Sequence, residues 1–160
     1  FVSPYFPVPF KQLPNRPAVT LVTPGEVEVG GFRVGVQPIN HPGGAFAYRI
    51  HGRGGDFVYA TDHEFGDAAI DAALLEFCRG AAAIVSDAHF TPDELKAHKG
   101  WGHASWHQVA EFAGRADVDR LWLFHHKPGR TDVELADIEA AAGRVFPGAT
   151  AAREGLAFDI

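Results

Sequence analysis

Val58-Tyr59-Ala60-Thr61-Asp62, Ile84-Val85-Ser86-Asp87 and Leu121-Trp122-Leu123-Phe124-His125 share one form: a short β-prone apolar run that ends on an Asp or a His. A fourth run, Val36-Gln37-Pro38-Ile39-Asn40, leads to His41. Sheets in α/β proteins tend to present their sites just past the C-terminal ends of strands. Taken singly, a histidine at a strand end reads as a hydrogen-bonded surface residue, and the coincidence of four such ends is what points to a site. Imidazoles together with a carboxylate suit Zn²⁺, and Mn²⁺ or Fe²⁺ is also accommodated. The side chains these ends deliver are His41, Asp62, Asp87 and His125.

Outward from these runs, helix starts are written plainly. Thr91-Pro92-Asp93-Glu94, Ser105-Trp106-His107-Gln108 and Thr131-Asp132-Val133-Glu134 each have the capping-box form, in which the first side chain and the fourth satisfy one another's backbone donors. Leu135, Ile138, Ala142 and Val145 then recur at helical spacing, as do Ile70, Ala73, Leu74 and Phe77 in an earlier helix ended by Gly80. Strands are expected at 32–36, 46–50, 57–60, 83–85 and 121–124, with Gly52-Arg53-Gly54-Gly55 as a hairpin turn. Strands dominate the first half and helix alternates with strand in the second, which predicts an α/β domain with a mixed sheet and flanking helices. A rival metal pair, His103 and His107, is four residues apart, but Ser105 reads as the N-cap between them, so the two do not share a helical face.

Composition sets the class. At 160 residues with 46% apolar content the chain can bury a real core, and 21% charged residues is too few for a disordered or coiled-coil chain. A net charge of −6 argues against a broad nucleic-acid-binding face. The single Cys78 excludes an intramolecular disulfide and reads as a core residue, consistent with a reducing, cytoplasmic setting. No apolar run approaches the roughly 18 residues of a membrane span. The chain opens on a Pro-punctuated stretch, residues 1–10, and has no methionine. The expectation is that residues 1–160 are the C-terminal portion of one domain.

Asn40-His41-Pro42-Gly43-Gly44-Ala45-Phe46-Ala47-Tyr48-Arg49-Ile50, Tyr59-Ala60-Thr61-Asp62, Gly102-His103-Ala104-Ser105 and Leu123-Phe124-His125-His126 occur in the order seen in the metallo-β-lactamase superfamily. The chain most resembles its ribonuclease Z-like and phosphodiesterase-like branch. The resemblance implies the C-terminal part of an αββα sandwich built around one or two metal ions. It implies that His41 is a ligand of one metal, His125 of the other, and that Asp62 bridges both. It further implies His103 as proton donor to the leaving oxygen, with Asp87 in a supporting role that orients it. No His-x-His-x-Asp-His segment, which defines the family, lies before His41.

These implications add up to a metal-dependent hydrolase, active once that segment completes the site and inactive without it. The expected reaction is phosphodiester hydrolysis by a metal-bound hydroxide, with His103 as general acid; histidine's ordinary pKa of about 6.5 suits that task. A small phosphodiester or nucleotide is the expected substrate. Thioester or lactone hydrolysis on the same fold, and a non-catalytic binding or sensor module, are the alternatives. An isolated half-sandwich is expected to aggregate or form a homodimer through its exposed sheet face. Further side chains are marked near the site: His63 and Glu64 after Asp62, His126 and Lys127 after His125, and Trp101 and Trp106 about His103.

Overall fold

Paired glycines fold the first part of the chain into hairpins. Gly30 and Gly31 adopt φ 59° and 84°, the left-handed pair a two-residue turn requires, and join β1 (Gly25–Val29) to β2 (Phe32–Ile39). Antiparallel β3 (Ala45–His51) and β4 (Asp56–Ala60) follow, and His51 lies opposite Asp56 across the expected 52–55 turn. The protein's structure, a computed structural model, describes residues 20–157 with Gln12, Pro14 and Asn15; the opening stretch 1–10 lies outside the described residues.

From β4 onward the chain alternates. The order is α1 (Ala68–Cys78), β5 (Ala83–Asp87), α2 (Pro92–Lys96), α3 (Trp106–Arg115), β6 (Leu121–Phe124), α4 (Asp132–Val145) and β7 (Ala149–Ala151). All three expected capping boxes form, at Thr91, Ser105 and Thr131. Asp67 caps α1 by accepting the N–H groups of Ala69 and Ile70. Two strands fall outside the sequence expectations. β1 carries the alternation Glu26-Val27-Glu28-Val29, which a period-two reading picks up. β7 has three small residues and is defined by pairing with β6 and by the Glu139 carboxylate accepting the Ala151 N–H at 2.8 Å.

The strands form one seven-stranded mixed sheet in sequence order. β1 to β4 pair antiparallel and β4 to β7 parallel, so β2, β4, β5, β6 and β7 all run the same way. Their C-terminal ends therefore share one edge, and that edge receives His41, Asp62, Asp87 and His125.

Residues directly opposite one another share a face. Gly35, Arg49, Val58, Ile84, Leu121 and Ala149 form a register row on one face. Along it Val58, Ile84, Leu121 and Ala149 join helical Leu74, Cys78, Val109, Phe112, Ile138 and Ala142 in the core. Leu74, Ile84, Leu121 and Leu123 are fully buried, and truncating any one to Ala costs about 2–5 kcal/mol. Cys78 is buried as expected, and burial pushes its thiol up to about 12. The opposite row runs Val36, Tyr48, Tyr59, Val85, Trp122 and Thr150. No helix among the described residues is long and apolar enough to cross a membrane.

Candidate metal centre and proton-transfer pair

The turns that carry the site residues are locally unusual. Asp62 and His125 have φ 62° and 51°, two of only three non-glycine residues in the left-handed region among the described residues. That conformation disfavours L side chains, and such residues cluster where surrounding contacts hold them for a function. The two side chains meet, with His125 Nε2 3.3 Å from Asp62 Oδ1.

His103 reaches the same place from the loop before α3. Its Nδ1 is 2.8 Å from Asp87 Oδ2 and 3.9 Å from Asp62 Oδ1. Asp87 is fully buried, and burial pushes its carboxyl up to about 7, against the opposing pull of His125 and of the His89 N–H. With Asp87 ionised, His103 Nδ1–H donates to it, which leaves Nε2 as the ring's other nitrogen for chemistry. His41 meets His103 edge to face, with ring centres 5.8 Å apart.

Donor atoms of His41, Asp62 and His103 lie within 4.8 Å of one another, and so do those of His89, His103 and His125. Imidazoles with one carboxylate fit a borderline cation such as Zn²⁺. His103 belongs to both groups and His125 only to the second, while Asp62 Oδ1 lies 3.3 Å from His125 Nε2 and 3.9 Å from His103 Nδ1. One detail runs against simple ligation by His41. The Gly43 N–H donates to its Nδ1 at 3.1 Å, which in a neutral ring puts the proton on Nε2. Coordination through Nε2 requires that bond to release.

The neighbours take defined places. His63, 2% exposed, accepts the Asn40 N–H at Nδ1 and donates from Nε2 to Asp71, fixing the turn before His41. Burial, outweighing Asp71 and Glu64, holds its imidazole below the usual range and keeps the ring neutral. Glu64 accepts the N–H groups of Gly100 and Gly102, each at 2.7 Å, and so anchors the loop that delivers His103. Lys127 pairs with Glu94 at 2.8 Å. Trp106 packs against the core, and Trp101 is exposed with its ring edge-on to His98. His107 sits on α3 beyond the Ser105 cap, so the His103–His107 pair does not form.

His89 is the residue the sequence reading passed over. It stacks on His103 with ring centres 4.3 Å apart and an interplanar angle of 15°, and its Nδ1 lies 3.0 Å from the His125 carbonyl. Nothing local in Ala88-His89-Phe90 marks it; its place depends on β5 lying beside β6.

The model of the Beta-lactamase superfamily domain matches residues 2–126. Ribonuclease Z of Lacticaseibacillus casei is 35% identical over 83 residues, 52% of this chain and 26% of that protein. Ribonuclease Z of a Synechococcus species is 30% identical over 112 residues, 68% of this chain and 33% of that protein. The chain thus spans about a third or less of the relatives it matches. Among solved structures, the metallo-β-lactamase fold protein YhfI from Bacillus subtilis superposes with a TM-score of 0.73 at 20% identity, covering 92% of this chain and 58% of that one. A diphosphatase from the PhnP family follows at 0.62 and 20% identity, covering 84% and 46%. The superpositions show the metallo-β-lactamase fold, and the match over residues 2–126 establishes that this chain belongs to the Beta-lactamase superfamily domain family.

Proposed function

We propose that the protein containing this chain is a metal-dependent phosphodiester hydrolase in which His103 protonates the leaving oxygen. The observation that carries this reading is the Asp87–His103 pair, a fully buried carboxylate 2.8 Å from an imidazole that lies beside Asp62 and His125. His41, Asp62 and His125 would hold the ion or ions; Zn²⁺ fits the donors, with Mn²⁺ or Fe²⁺ as alternatives. When bound, such an ion supplies Lewis acidity and lowers the pKa of a water to about 7. Asp87 accepts the His103 Nδ1–H, which fixes the ring's orientation. When the ring carries a second proton at Nε2, that proton is the one available to a departing alkoxide. Completion of the site by a His-x-His-x-Asp-His segment elsewhere in the protein is part of the proposal.

A small phosphodiester or nucleotide is the preferred substrate, because a net charge of −6 gives poor steering toward a long polyanion. An RNA substrate is the second reading, favoured by the relatives named ribonuclease Z. The test assays the whole protein against bis-p-nitrophenyl phosphate, a short oligoribonucleotide and a thioester. Replacing His103 by Ala should lower phosphodiester turnover by about 10²- to 10⁴-fold while metal content stays near wild type. Loss of metal in His103→Ala would make His103 a ligand, and turnover of the thioester alone would move the reaction to a different bond.

A further inference from the structure

We propose that His89 is a positioning residue that holds His125 in its left-handed turn, and that Arg130 and Glu94 in turn hold His89. The inference rests on the reading above in one respect: His125 faces the metal.

The argument begins at His125. A non-glycine residue at φ 51° is strained and persists only where its surroundings over-determine it. Two bonds from the end of β5 supply that restraint. The Ala88 N–H donates to the Phe124 carbonyl at 2.8 Å, and His89 Nδ1 lies 3.0 Å from the His125 carbonyl. A carbonyl only accepts, so Nδ1 carries the proton and the bond fixes the His89 tautomer.

His89 is itself fixed on two sides. Its N–H donates to Asp87 Oδ1 at 3.1 Å, and Arg130 Nη2 donates to its carbonyl at 3.2 Å. Arg130, 9% exposed, donates from the same nitrogen to Glu94 Oε2 at 2.6 Å. Glu94 also closes the Thr91 capping box and accepts Lys127. A continuous brace thus runs from the start of α2 through the turn before α4 to the main chain of His125. The same ring stacks on that of His103.

Positioning uses the His89 Nδ1–H, whereas ligation would use its Nε2. The two are separable, because an Asn amide places a donor near the position of Nδ1 and a Gln amide places one near Nε2. The experiment measures Zn²⁺ affinity of the whole protein by chelator competition for wild type, His89→Asn, His89→Gln and His89→Phe. The Gln and Phe variants should bind Zn²⁺ roughly 10- to 100-fold more weakly, as for loss of an outer support, while Asn stays within about threefold of wild type. In the metal-free protein, amide exchange at His125 should quicken in the Gln and Phe variants and not in Asn. If Gln restores binding and Asn does not, or if all three variants lose it equally, His89 acts through Nε2 and the proposal is overturned. Wild-type affinity in all three overturns it too. A wild-type protein that binds no Zn²⁺ sinks this inference together with the functional reading. Absence of phosphodiesterase activity with the affinity pattern intact sinks only the functional reading.

Discussion

At the residue scale, Gly102 shows how closely the site is built. It sits at φ 87°, and a Cβ there would overlap the His41 ring and Pro42 Cδ. Glu64 fixes the same residue by accepting its N–H. Gly102→Ala should therefore cost about 1–3 kcal/mol from backbone strain. It should also push His41 aside. Urea unfolding reads the first effect, and Zn²⁺ competition reads the second; unchanged affinity would mean that the loop shifts and His41 does not. His41, Asp62, Asp87 and His125 were legible because each ends an apolar run, and His103 because the residues around it resemble those of a known family. His89 was not. It is one of nine histidines, and its meaning lies in a carbonyl 36 positions away that no local pattern links to it.

Among the elements, helix starts were the best-written feature of the sequence, since a capping box states its geometry in four residues. Strand ends were less clear: β1 and β7 escaped notice, the first as a plain alternation and the second as three residues ordered by their neighbours. The α2 cap has a consequence for acid stability. Burial alone would raise the Glu94 pKa, but hydrogen bonds from Arg130, Lys127 and the Thr91 backbone outweigh it and hold the carboxyl well below its ordinary value. The unfolded chain therefore takes up the proton first as pH falls. The stability from Glu94 is fully present above about pH 4.5 and drains away as pH drops below that toward the folded-state value. Glu94→Gln keeps a capping-box residue and removes the charge. Its urea midpoint should lie below wild type at pH 6, with the gap narrowing at pH 3; a constant gap would mean that the ionised carboxylate contributes nothing specific.

For the whole molecule, sheet direction is the step between motif and site. Four runs ending in Asp or His suggest a common edge, but only the pairing pattern makes β2, β4, β5 and β6 parallel and brings those ends together. The same pairing sorts the strands' side chains into two faces. Helices pack on one, and the other presents Phe32, Phe46, Tyr48 and Phe124 at 56%, 39%, 38% and 40% exposure. Apolar surface of this breadth is favourably removed from water, and patches larger than a few hundred Å² mark association surfaces. Charge opposes contact only weakly, because −6 spread over 160 residues is screened beyond about 8 Å at physiological salt. The 160-residue chain on its own should therefore self-associate at micromolar concentration. Phe46→Lys combined with Tyr48→Lys should shift it toward monomer, since both side chains point from the open face and neither belongs to the buried core. Sedimentation velocity across a concentration series distinguishes the outcomes. A wild-type chain that stays monomeric throughout would mean that this face is shielded within the chain itself, and the double substitution would then change stability rather than assembly.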